Sequence, residues 1–105
     1  MLNKEVKKVI SKYLQVLREN GIPVRYGIVF GSYVRGAQTR DSDIDLLLIS
    51  PLFDRYRRKY VGKIWRLAGD VDLRIEPIPV GEKKFKTDDV SVIYEVARRE
   101  GVVVH

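Results

Sequence analysis

The chain of 105 residues contains no cysteine, so disulfides, thiolate metal centres and thiol catalysis are all excluded. It has one histidine, and that is the last residue, His105, where a ligand or catalytic role is not expected. No apolar run approaches the ~20 residues of a membrane span. The first residues, MLNKEVKKVISKYL, interleave charges with apolar positions and do not form a signal peptide. There are no internal repeats, no low-complexity segment and no linker. One soluble, cytoplasmic domain over residues 1–105 is expected, large enough to bury a single core without staples. Acidic residues are outnumbered, 14 to 20, which leaves a net charge of +6. Such a balance favours polyanionic partners such as nucleotide phosphates, RNA or an acidic protein, although charge alone fixes none of them.

What is present is a strong alternation of elements. Leu2, Val6, Val9, Ile10, Tyr13, Leu14 and Leu17 repeat at helical spacing. Asn3 is placed to cap that helix and Asn20-Gly21 to stop it. The lysines 4, 7, 8 and 12 on its other side read as solvated surface. Residues 24–30 and 43–49 read as strands, and Gly27 inside the first suggests a close backbone approach or a twist. Ser50-Pro51 opens a second helix, expected to run to Ala68 with Gly69 as its stop. Phe53, Tyr56, Tyr60, Ile64 and Leu67 form its apolar stripe. Arg55, Arg57, Arg58, Lys59, Lys63 and Arg66 make its other side the most basic segment of the chain, able to contact RNA or an acidic partner, or only solvent. Trp65 reads as a packing anchor. Residues 70–78 are expected to form a third strand, with Val71, Leu73 and Ile75 on one side and Asp72, Arg74 and Glu76 on the other. GEKKFKTD reads as a basic loop, Asp88–Arg99 as a helix capped by Thr87 with Val90, Ile93, Tyr94 and Ala97 buried, and Val102–Val104 as a terminal strand.

The chemistry concentrates between Val29 and Ser50. Asp43 and Asp45 are two apart in a strand, so they project to one side, roughly 6.6–7 Å apart at the backbone. Two such carboxylates repel by about 3 kcal/mol at ~5 Å and an effective dielectric of ~20. A hard divalent cation removes that repulsion, and thiol-free, oxygen-rich surroundings favour magnesium. Upstream, Gly31 permits backbone conformations that let a phosphate approach the main chain, and Ser32 opens a short helix ending at Gly36. Gly31-Ser32 alone would read as a capped turn; with the aspartates beside it, phosphate binding is the better reading. The loop is not a Walker A motif, since no Lys-Ser/Thr follows the glycine. Arg35 is a candidate for a phosphate contact or for a structural ion pair.

Gly31-Ser32, Arg35-Gly36 and Ser42-Asp43-Ile44-Asp45-Leu46 together resemble the signature of the nucleotidyltransferase superfamily that includes DNA polymerase beta, and within it the minimal nucleotidyltransferase branch. The resemblance covers nearly the whole chain. It implies an α/β (α+β) fold: a small mixed β-sheet flanked by helices. It implies magnesium, two ions with both substrates bound, and ATP as nucleotide donor. It implies a third carboxylate from a neighbouring strand as base or base-aligning group. Asp72 matches that position, and Glu76, on the same side but four residues on, reads as a surface or partner-pairing charge. It implies transfer of AMP to a hydroxyl, the acceptor being a HEPN-type partner protein in a toxin–antitoxin pair. The competing reading is a non-catalytic antitoxin acting by complex formation. Exposed strand edges and the aromatic helix could support a homodimer.

Overall fold

A computed structural model describes residues 2–105. Helix α1 (Lys4–Glu19) starts where the sequence places its cap: the Asn3 side chain accepts a hydrogen bond from the Val6 N–H at 2.9 Å. Its buried side is Val6, Ile10, Tyr13, Leu14 and Leu17. Strand β1 (Tyr26–Phe30) leads into a single-turn helix α2 (Ser32–Arg35), and β2 (Ile44–Ser50) follows. Helix α3 (Phe53–Val71) crosses to β3 (Ile75–Gly81). Helices α4 (Glu82–Thr87) and α5 (Val92–Glu100) precede the terminal strand β4 (Val102–Val104).

The sheet order is β3-β2-β1-β4. β1 runs antiparallel to both β2 and β4, and β2 runs parallel to β3 through the α3 crossover. This is the mixed sheet with flanking helices that the sequence implies. α1 and α3 cover one side, packing on Val29, Ile44, Leu46, Leu48 and Ile75. Gly27 allows this close approach: a Cβ there would stand 2.9 Å from a Leu46 methyl and 3.6 Å from Leu14 of α1. The Tyr13 hydroxyl donates to the Ile64 carbonyl at 2.7 Å, tying α1 to α3. The short helices α4 and α5 cover the other side, over Ile28, Phe30, Leu47, Ile49 and Val80. Among the described residues no helix is long and apolar enough to cross a membrane.

The differences from expectation that bear on the site and its surroundings lie at the end of α3, at residues 82–87 and at the last helix. α3 continues through Gly69 to Val71, so residues 70–74 are not strand and β3 begins at Ile75. Residues 82–87 are helix rather than loop, because Asp54 at the start of α3 accepts from the backbone N–H groups of Lys83 and Lys84, at 3.1 and 3.2 Å. The last helix starts at Val92 with Ser91 as cap. Asp88 holds a turn by accepting from the N–H groups of Val90 and Ser91, and Val90 is left in solvent.

Candidate active site

The β1–α2 turn and the starts of β2 and β3 meet at one end of the sheet. In the antiparallel register Phe30 lies opposite Asp45, so Gly31 is brought against the Asp45 side chain. Gly31 has φ +80° and ψ −150°, a combination that side-chain-bearing residues avoid. A Cβ at Gly31 would lie 2.2 Å from Asp45 Oδ2, so the absent side chain is also the space the carboxylate occupies. Ser32 is the first residue of α2, and Gly36, at φ +73°, ends it.

Asp43 is exposed just before β2, and Asp45 is half-buried within it. In the parallel register Asp45 stands beside Glu76 of β3. Alternation along the strands puts Asp45 and Glu76 on the side that carries Leu47, Ile49 and Val80, facing α4 and α5. Burial, then the Asp43 charge, pushes the Asp45 carboxyl above the usual carboxylate range, with Arg35 opposing. Glu76 is raised by burial, by Asp45, and by a hydrogen bond and charge from Asp43. Asp43, Asp45 and Glu76 therefore stand as three neighbouring carboxyls whose charges act on one another.

Asp72, expected to supply the third carboxylate, is not the acidic residue paired with Asp45 in the sheet register, which is Glu76. Asp72 caps the end of α3, and Arg74 occupies both its oxygens: Nε and the backbone N–H on Oδ1, at 3.0 and 2.8 Å, and Nη2 on Oδ2 at 2.8 Å. The Arg74 hydrogen bond holds Asp72 below the usual carboxylate range. Arg74 also reaches the Tyr33 hydroxyl at 3.3 Å and Glu5 at 3.1 Å. Its own carbonyl accepts from the Ile44 N–H at 2.7 Å. Asp72 therefore belongs to a bracket joining α1, α2, β2 and β3, and the residue beside Asp45 is Glu76. The signal lay in the sequence, where Asp72 and Glu76 share an alternation phase. Only the start of β3 selects between them.

Arg35 pairs with Glu100 of α5 at 3.0 Å while its charge acts on Asp45. This pair fixes α5 to the rim of the site, and Glu100 has no signature in the sequence.

The three carboxyls supply the all-oxygen donors a hard divalent cation takes, and the like charge that adds to burial in raising Asp45 and Glu76 is charge a cation would relieve. They are neighbours rather than a closed cradle. Among the described residues no group of three acidic or imidazole side chains is gathered as a preformed metal site.

Residues 10–99 match the family model described as "Nucleotidyltransferase domain". Two proteins of Methanocaldococcus jannaschii, each named "Putative protein adenylyltransferase", are similar. One is 34% identical over 74 residues, covering 64% of this chain and 73% of the relative. The other is 41% identical over 44 residues, covering 42% of this chain and 50% of the relative. The fold is also that of a crystal structure described as "a putative nucleotidyltransferase from Sulfolobus solfataricus", with a TM-score of 0.56 at 18% identity, covering 92% of this chain and 77% of that one.

Proposed function

The chain belongs to the nucleotidyltransferase domain family, and on that premise we propose that it transfers AMP from ATP to a hydroxyl of a protein acceptor. The observation that carries this reading is the convergence of Gly31, Asp43, Asp45 and Glu76 at one sheet end. The protein acceptor is suggested by the names of the two archaeal relatives.

In this proposal Asp43 and Asp45 would hold magnesium, with Glu76 beside them. When bound, magnesium neutralises charge on the phosphate oxygens and on the attacking and leaving oxygens. Gly31 and the start of α2 receive the donor's β- and γ-phosphates, with the Ser32 hydroxyl as a further donor. Arg35, close enough to act on Asp45, contributes positive charge at the rim. Glu76 accepts the proton of the acceptor hydroxyl as its oxygen attacks the α-phosphorus and pyrophosphate leaves. Asp72 acts only through Arg74 and the bracket.

The acceptor we propose is a HEPN-type partner, silenced by the transfer, which makes the chain an antitoxin. The test is transfer of label from α-labelled ATP, with magnesium, to the protein encoded beside this one. Label on that protein, lost in Asp43→Asn/Asp45→Asn, is the expected result. A stable complex that forms equally well with the double variant and carries no label would refute the transfer and favour an antitoxin acting by binding alone.

A further inference from the structure

The net positive charge of this protein lies on one layer. α1 and α3 together carry eleven lysines and arginines against four acidic residues, while the rest of the chain carries nine against ten. None of those eleven takes part in an ion pair among the described residues. Arg18, Arg57 and Lys63 donate to backbone carbonyls. The exposed Lys4, Lys7, Lys8 and Lys12 of α1 and Arg55, Arg58, Lys59 and Arg66 of α3 are left with no acidic partner. The layer's own acids are largely engaged elsewhere, Asp54 on α4 and Glu5 on Arg74. A face serving only solubility balances both signs; this one carries cations in nearly threefold excess. It also covers the side of the sheet opposite Asp45 and Glu76, so it does not neutralise the candidate active site.

Two aromatic rings border the basic stripe of α3. Tyr56 is 50% exposed and Trp65 47% exposed. Lys59 Nζ already stands 5.9 Å from the centre of the Tyr56 ring. Gly62 and Gly69, one turn to either side of Trp65, put no side chain over the indole, and a Cβ at Gly62 would meet nothing within 4 Å. A groove of about 480 Å³ lies along α1, lined by Lys8, Val9, Ser11, Lys12 and Gln15, and reaches Val71 at the end of α3. Protein interfaces have an apolar centre and are depleted in lysine. Nucleic-acid interfaces are polar and strongly positive, and unpaired bases stack on exposed aromatics. We propose that the outer face of α1 and α3 is a binding surface for single-stranded nucleic acid, its lysines and arginines contacting phosphates and Trp65 stacking a base.

Trp65 is the sole tryptophan, so its fluorescence reports on this surface alone. The experiment titrates the whole protein with labelled oligouridylate of about 20 nucleotides, reading anisotropy and tryptophan emission across a salt series. If about six cations engage phosphates, log K falls against log salt with a slope of about −4, or roughly 250-fold from ~50 to ~200 mM. Emission should be quenched on binding. Lys7→Glu/Lys8→Glu/Arg58→Glu/Arg66→Glu should weaken binding more than 10-fold, while Lys86→Glu/Arg99→Glu on the other helices should not. The proposal is overturned by a slope near zero, by unquenched emission, or by equal losses in both variants. Tighter binding of polyglutamate or of an RNA duplex of the same length would overturn it too, by assigning the face to an acidic protein or to a double strand.

Discussion

Asp72 and Glu76 stand four residues apart and carry the same functional group, yet their surroundings push them in opposite directions. Asp72 is anchored by Arg74, and its carboxyl is held low. Glu76 is half-buried beside Asp45 and is held high. The consequences for stability have opposite signs. A lowered Asp72 stabilises the fold above its unfolded value, and that contribution disappears as pH falls through the folded value. Raised Asp45 and Glu76 carboxyls take up protons in the folded state first, so the metal-free protein gains stability as pH falls from neutral toward their folded values. Urea denaturation across pH should show both. Asp72→Asn should cost about 1 kcal/mol at neutral pH, a modest figure because solvent reaches the pair, and the difference from the parent should vanish in strong acid. A variant whose deficit stays constant across that range would show that Arg74 does not hold Asp72 low.

At the scale of elements, α4 shows how a distant side chain can create structure. EKKFKT buries only Phe85, too little to announce a helix. Asp54, about thirty residues earlier, supplies the acceptors for its first N–H groups. Asp54→Ala should release that end at a cost of about 1 kcal/mol. Hydrogen exchange of the Lys83 and Lys84 amides should accelerate while α1 stays protected; unchanged rates would contradict the assignment. The same locality decides what was legible beforehand. α1, its Asn3 cap, β1, α2 and β2 follow from local pattern, because each carries its own periodicity and punctuation. The placement of Gly31 beside Asp45, and of Asp43 just before β2, follows with them. The end of α3 does not. Gly69 is a plausible stop, but Asp72 and Arg74 close the helix later, through contacts with Tyr33 and Glu5 from elsewhere in the chain. That shift of a few residues decides which carboxylate stands beside Asp45, and no strand alternation can reveal it. Trp65 and Val90, expected to pack, are exposed, because what they face depends on neighbouring elements rather than on their own helix.

Across the whole molecule, acidity and basicity are segregated. The three carboxyls occupy one end of the sheet on the side of α4 and α5, and eleven of the twenty cations, none of them in an ion pair among the described residues, lie on the opposite layer. The sheet edges are unlike each other too. β3 carries Pro77 and Pro79, and the carbonyl of Pro79 already accepts from Arg57 at 2.8 Å. Prolines on an edge strand discourage added strands, and β4 is only three residues long. The sheet therefore offers little for edge-to-edge pairing, and recognition falls to helix faces and to the acidic end. The account as a whole rests on Asp43, Asp45 and Glu76 being the working set. The direct measurement is pyrophosphate release from magnesium ATP in the presence of the neighbouring gene's product, comparing Glu76→Gln with Asp72→Asn. Each variant is first checked for folding. Glu76→Gln should lose at least ~100-fold, in the range expected for removing a general base. Asp72→Asn, once folded, should stay within a few fold of the parent. The reverse pattern, with Glu76→Gln active and Asp72→Asn inactive though folded, would contradict the site described here.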